Sequence, residues 1–351
     1  MLNSDEKKYY SRHLLLNEFG EENQLKLKNS SVLVIGAGGL GCPSLQYLVA
    51  AGVGNVRIMD GDTVDISNLH RQILFSHEDI GESKAEVATQ KLTQLNPHVN
   101  ITAVKEWLTK ENALEYIKDH DVILDCSDNF ETRYLVNDAC VIEKKPFIYG
   151  AISKFEGQIS VSNHQDGPTY RCLFPEPPSA KDAPNCADAG VLGVLPGIIG
   201  TNQALECIKL LTGMGELLSG KLLIIDTLGQ HHIKLTISTV PSHKEIKILG
   251  DYNVSCSSEI QQIDYSKTLE LLEQKTFLLD VRSEEEYQLQ NIGGLLIPLA
   301  ELENSLKIIP NKEIIVVCQS GKRSAAACEL LIQNGFDRVY NLKGGLNSIE
   351  R

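Results

Sequence analysis

Residues 32–44 read VLVIGAGGLGCPS. An aliphatic run, Val32 to Ile35, closes on Gly36, Gly38, Gly39 and Gly41 before a helical segment begins. That order predicts a strand, a tight turn and a helix N-terminus whose backbone N–H groups and positive dipole end face an anion. The next apolar run, VRIMD (56–60), ends on Asp60, where a carboxylate can accept hydrogen bonds from a ribose. Both features suit a nicotinamide dinucleotide and ATP equally, so the loop by itself leaves the nucleotide open.

Working outward, VNITAV (99–104) and DVILDCSD (121–128) continue an alternation of short β-branched runs with segments of helical period. The alternation predicts an α/β class with a mainly parallel, Rossmann-like sheet and helices on both faces. PFIYGAI (146–152), GQISVSN (157–163), KLLIIDTL (221–228) and HHIKLTIST (231–239) read as later strands, the last two a hairpin around Gly229. The stretch 188–213 reads as a loop entering a long helix that stops at Gly213. Composition then turns polar, and FLLDVRSEEEY (277–287), EIIVVCQSGKRSAAACELLIQNGF (313–336) and VYNLKGG (339–345) repeat the strand–turn–helix order on a smaller scale. The expected organisation is a domain over 1–245, a mobile linker over 246–262 and a small α/β domain over 263–351.

The chain has 351 residues and a formal net charge of −13, which disfavours nucleic acid or an anionic membrane as partner. No apolar run approaches the roughly 18 residues of a membrane span, and the N-terminal MLNSDEKKYYSRH is charged, so a cytoplasmic location is expected. Nine cysteines, odd in number and scattered through a large chain, predict buried thiols with one or two reactive ones, not a disulfide framework.

The tie between nucleotides is broken downstream, in residues 60–88 and 126–140. Arg71 and Lys84 supply positive charge, Asn68 and Gln72 are neutral donors, and Asp128 at a strand end can hold a hard cation through oxygen. Hydride transfer needs no such concentration of phosphate-seeking groups, whereas charge building on a phosphoryl group does.

Taken together, GAGGLG (36–41), DGD (60–62), SNLHRQ (67–72), GESK (81–84), SDN (127–129) with Arg133, and CADAGVLG (186–193) resemble the HesA/MoeB/ThiF group, bacterial relatives of ubiquitin-activating enzymes. The resemblance runs from about residue 5 to 240. It implies that the C-terminal Gly-Gly carboxylate of a ubiquitin-like sulfur carrier attacks the α-phosphate of ATP, giving an acyl-adenylate and pyrophosphate. It also implies that Gly36, Gly38, Gly39, Gly41 and Asp60 hold the nucleotide, with Asp60 on the ribose. Asn68, Arg71, Gln72 and Lys84 would surround the phosphates, Asp128 would bind Mg²⁺ and Asn129 would sit beside it. Arg12 would reach into the other subunit of a homodimer, its bland alternative being a surface ion pair. Cys186 would attack the activated carrier or its sulfur-bearing form, and the alternative there is a loop thiol without chemistry. Cys42, in the same glycine context, reads as a packing thiol. Many members of the group bind zinc through two Cys-x-x-Cys pairs. Here Thr169 stands where the first pair would begin, and the regions of Cys172 and Cys256 each keep one cysteine, so zinc is not expected, although His243 or His164 could complete a degenerate site.

Cys318 follows the strand EIIVV and opens QSGKRS (319–324), which runs into a helix. A thiolate at a helix N-terminus, flanked by Lys322 and Arg323, has a lowered pKa and is nucleophilic. The loop resembles that of single-domain rhodaneses, and the resemblance covers roughly 263 to 346. The chain departs from that pattern at Gln290–Ile292 and in the tail after Gly345, neither of which touches the thiol loop. A phosphatase-like Cys-x5-Arg would need arginine at 324, which is serine. The fusion implies adenylation of a carrier followed by attack of a Cys318 persulfide, with Cys186 taking the acyl group as an acyl-disulfide or thioester. Sulfur would come from a donor such as a cysteine desulfurase or thiosulfate. The molybdopterin-synthase small subunit is the favoured carrier, and the thiamine-pathway carrier stays open, as do an NAD-binding oxidoreductase and a scaffold without sulfur chemistry.

Overall fold

Strand β1 (Ser31–Ile35) is buried on both sides: Val32 and Val34 pack into one hydrophobic core, Leu33 and Ile35 into another. The period of two that alternates side chains across a sheet thus places a core on each face. The computed structural model describes residues 1–178, 190–250, 252, 260–310, 312–336 and 338–348. These divide into two compact units, one up to Tyr252 and one from Ile260.

In the larger unit, β1 joins β2 (Asn55–Met59), β3 (Asn100–Val104), β4 (Val122–Asp125), β5 (Phe147–Ser153), β6 (Glu156–Ser162), β7 (Lys221–Asp226) and β8 (His231–Thr236). The sheet order is β3-β2-β1-β4-β5-β6-β7-β8, parallel through β5 and antiparallel after it. Helices Gly41–Ala51, Lys84–Leu95 and Val194–Thr212 cover the Val32 face through Leu45, Leu92 and Ile199, whereas Ala113–Lys118 and Phe130–Ile142 cover the other through Ile117 and Leu135. The order of strands reverses between β1 and β4, the crevice where open α/β sheets bind ligands. The long helix ends where expected: Gly213 takes φ +78° as its left-handed cap. Among the described residues, no helix is long and apolar enough to cross a membrane.

Of the stretch expected as a linker, 246–262, both ends belong to folded units. Leu249 and Tyr252 are buried in the larger unit, and the Tyr252 hydroxyl donates to Asp138 Oδ2 at 2.9 Å. Strand β9 (Gln261–Ile263) pairs with the last strand of the smaller sheet. Polar composition hid these anchors because each rests on one or two residues.

The smaller unit holds β9 with β10 (Phe277–Asp280), β11 (Leu295–Leu296), β12 (Ile314–Val317) and β13 (Val339–Leu342), all parallel in the order β11-β10-β12-β13-β9. Central β12 is fully buried, with Ile314 and Val316 on one core and Ile315 and Val317 on the other. Its end delivers Cys318 to the N-terminus of the helix Lys322–Gln333.

Candidate functional sites

A cleft of about 730 Å³ opens at the β1–β4 crevice of the larger unit, lined by the glycine turn and by residues from the ends of β2, β4 and β5. Gly36 has φ +93°, and a Cβ on it would fall 2.8 Å from the Cys126 carbonyl oxygen. A Cβ on Gly41 would fall 2.0 Å from the Gly36 oxygen, and on Gly39 it would fall 3.1 Å from Pro196 Cβ. The turn is therefore closed to side chains at Gly36, Gly39 and Gly41, leaving its backbone free to approach a ligand. Asp60, buried at the end of β2, accepts from the Ala37 amide at 2.7 Å and from the Asp62 amide at 2.8 Å. Burial pushes its carboxyl pKa up, against the pull of those amides and of Lys84. The acid is thus fixed at the foot of the glycine turn.

Lys84 starts its helix with the side chain buried and Nζ 2.6 Å from Asp62 Oδ2, which points the cation along the cleft wall. Arg71 Nη1 donates to the Ser67 carbonyl at 3.0 Å and lies 2.8 Å from His70 Nε2. Gln72 is buried, and its Oε1 has no hydrogen-bond partner among the described residues. All three line the cleft with Gly36, Gly38 and Gly39. Asn68 is a turn residue whose Oδ1 accepts from the Asp65 amide at 3.3 Å, and it is not among the lining residues. Asp128 is exposed and faces the cleft. Asn129 lines it too, although its side chain caps the helix Phe130–Ile142 by accepting from the Thr132 amide at 2.8 Å.

Arg12 is exposed on the short helix Ser11–Leu14 and does not line the cleft of its own chain. Cys186 lies outside the described residues, as does Cys256. Cys172 Sγ accepts backbone amides of Thr169 at 3.4 Å and Val240 at 3.3 Å. Cys42 is fully buried, and desolvation pushes its pKa up to about 12, which fits a packing thiol.

Sequence reasoning missed the aromatic lining. Trp107, Phe130, Tyr149, Tyr170 and Phe174 all reach the cleft, and the Arg133 guanidinium lies 5.3 Å from the Phe130 ring centroid and 5.7 Å from that of Tyr149. These residues come from separate elements, so no local spacing announces them.

In the smaller unit Cys318 is fully buried at the end of β12. Burial alone would raise its pKa, but Ser324 Oγ at 3.3 Å and the amides of Ser324, Ser320 and Gly321 bring it below the ordinary thiol value. Of the two cations expected to flank it, Arg323 forms a bidentate pair with Glu286 at 2.7 and 2.6 Å, holding that carboxyl at about 2, while its charge still acts on Cys318. Ser324, the residue that argues against a phosphatase loop, is the thiol's hydrogen-bond donor. Behind the loop, buried Arg282 donates to Asp280, to Gln319 Oε1 at 3.2 Å and to the Gln290 carbonyl at 2.6 Å.

A glycine turn that opens a helix, with cations and a buried carboxylate on the same cleft, defines an α/β protein of the nucleotide-binding class, and the second unit adds a hydrogen-bonded thiol loop. The chain belongs to the ThiF family, whose sequence model matches residues 10–246, and a Rhodanese-like domain model matches 264–351. It is 41% identical to a Drosophila persimilis protein named adenylyltransferase and sulfurtransferase MOCS3, over 99% of this chain and 84% of that protein. It is 51% identical to a Thermus thermophilus protein named sulfur carrier protein adenylyltransferase, over 66% of this chain and 88% of that one. Among solved structures, Escherichia coli MccB with ATP shares the fold at a TM-score of 0.60 and 22% identity, covering 70% of this chain and 75% of that one.

Proposed function

We propose that the chain activates a ubiquitin-like sulfur carrier with ATP in the larger unit and transfers sulfur to it from a persulfide on Cys318 in the smaller one. The observation that carries this reading is the convergence of the glycine cradle, buried Lys84, Arg71 and exposed Asp128 on one cleft, in a chain that also holds a thiol of lowered pKa. Family membership favours ATP over a nicotinamide cofactor.

The glycine turn binds the phosphates through backbone amides, and Asp60 takes the ribose. The carrier's terminal carboxylate attacks the α-phosphorus, the bond to the bridging oxygen breaks and pyrophosphate leaves. Lys84 and Arg71 offset the negative charge that builds there, and Arg12 of a partner subunit adds to them. Gln72 from inside the cleft and Asn129 from its wall orient the polyphosphate, and Asn68, set outside the cleft lining, would reach it only by a side-chain movement. Asp128 is the residue that would hold Mg²⁺, which supplies charge neutralisation at the phosphates when bound.

A persulfide on Cys318, charged by a sulfur donor, then attacks the acyl carbon. AMP departs with the electron pair of the mixed-anhydride bond, leaving an acyl disulfide between carrier and Cys318. A second thiolate attacking Cys318 Sγ displaces the carrier thiocarboxylate and forms a disulfide with Cys318, and Cys186 is the candidate for that thiolate. The favoured carrier is of the molybdopterin-synthase small-subunit type, supported by the near full-length likeness to a protein named for both activities; the thiamine-pathway type is the second reading. Conversion of a Gly-Gly carrier to its thiocarboxylate, read by mass with ATP and a sulfur donor present, tests the whole sequence: it requires Cys318 and Lys84, and conversion by Cys318→Ala would refute the sulfur route.

A further inference from the structure

Trp107 is the chain's single tryptophan, and it stands 58% exposed on the wall of the cleft. Indoles usually bury most of their surface, so a lone exposed one at a cleft wall lacks the partner that its area would favour. Its backbone is not loose: the Trp107 carbonyl accepts from Asn112 Nδ2 at 2.9 Å, and Leu108 beside it is buried in the core. The ring lies on Gly61. A Cβ at that position would fall 2.7 Å from Trp107 Cε2 and Nε1 and 2.9 Å from Cδ1, so the indole occupies the place of the missing side chain.

Gly61 sits between Asp60, the ribose acceptor, and Asp62, the partner of Lys84. Trp107 follows β3, the neighbour of β2 on the side away from β1. Crossing the sheet from β1 to β2 to β3 therefore runs from the phosphate cradle through the ribose carboxylate to the indole. That is the order of phosphate, sugar and base in a nucleotide. Phe130 and Tyr149 belong to the β4–β5 side, away from this row.

We infer that Trp107 is the stacking wall for the nucleobase of ATP, held flat by Gly61. The inference rests on the cleft being the ATP site. Because the chain has one tryptophan, the full-length protein reports on it directly: adding ATP with Mg²⁺ should change intrinsic fluorescence saturably. In carrier-dependent pyrophosphate exchange, Trp107→Ala should raise KM for ATP by about 5- to 100-fold, the value of one lost base–aromatic stack, with kcat held within about threefold. Trp107→Phe should restore most of that loss. Gly61→Ala, which pushes the indole off its seat, should raise KM for ATP and alter the emission before any nucleotide is added.

An unchanged KM for ATP in Trp107→Ala, with exchange still running, would overturn the inference and leave the adenylation reading intact. A rise in KM for the carrier alone would overturn it too, by making Trp107 a contact for the carrier tail. No exchange by the wild type with any Gly-Gly carrier would overturn both.

Discussion

At Cys318 two opposed effects act on one sulfur: burial favours the neutral thiol, and hydrogen bonds from Ser324 and from the amides of Ser320 and Gly321 favour the thiolate. The bonds win, so the rate of alkylation should reach half its maximum at a pH below that of an ordinary thiol. Ser324→Ala removes the side-chain donor and should move that midpoint upward; a profile identical to wild type would mean that the backbone amides suffice. At Lys84 the logic is electrostatic. A buried cation on the wall of the proposed ATP cleft is worth most where charge develops, so Lys84→Ala should lower the rate of adenylate formation by about 10²–10³-fold. A loss confined to KM for ATP would recast Lys84 as a binding group.

Among the elements, the glycine turn joins β1 to its helix with no room for a methyl group at Gly41, where backbone meets backbone. Gly41→Ala should cost at least about 1–3 kcal/mol of stability, seen as a lowered unfolding midpoint of the larger unit, because the turn must shift as a whole. An unchanged midpoint would show that the turn adjusts freely. The strands of this unit were legible in the sequence because each carries a dense β-branched run, and Gly213 and Gly229 punctuate them by turn chemistry alone. Asp60 and Cys318 were legible because each stands at the end of such a run, where an α/β fold collects its chemistry, and Lys84 was legible as a cation at the start of a helix. Trp107 and Tyr149 were not, since nothing local says that residues 42 positions apart share a cleft. Ser324 was legible as the residue that excludes a phosphatase loop but not as the donor to Cys318, because only the fold of the loop creates that hydrogen bond. Tyr252 likewise sits in a polar stretch, and the partner that anchors it, Asp138, is 114 residues away.

For the whole molecule, two units with separate cores are joined in one chain, which keeps the thiol loop tethered to the cleft that makes its substrate. Arg12 stands apart from its own cleft, so if it acts on a partner subunit, two damaged chains can repair each other. Mixing Arg12→Ala with Asp128→Ala should restore about a quarter of wild-type activity, since random pairing makes half the dimers mixed and each mixed dimer holds one intact site. No recovery after subunit exchange would place Arg12 outside catalysis in trans. In the proposed reaction the cleft forms an adenylate on a carrier carboxylate, and ATP–pyrophosphate exchange measures that step without any sulfur chemistry. Exchange should appear when a ubiquitin-like carrier ending in Gly-Gly is added, persist in Cys318→Ala and vanish in Asp128→Ala. Failure of the wild type to exchange with carriers of both the molybdopterin and the thiamine type would rule out adenylation of such carriers in this cleft.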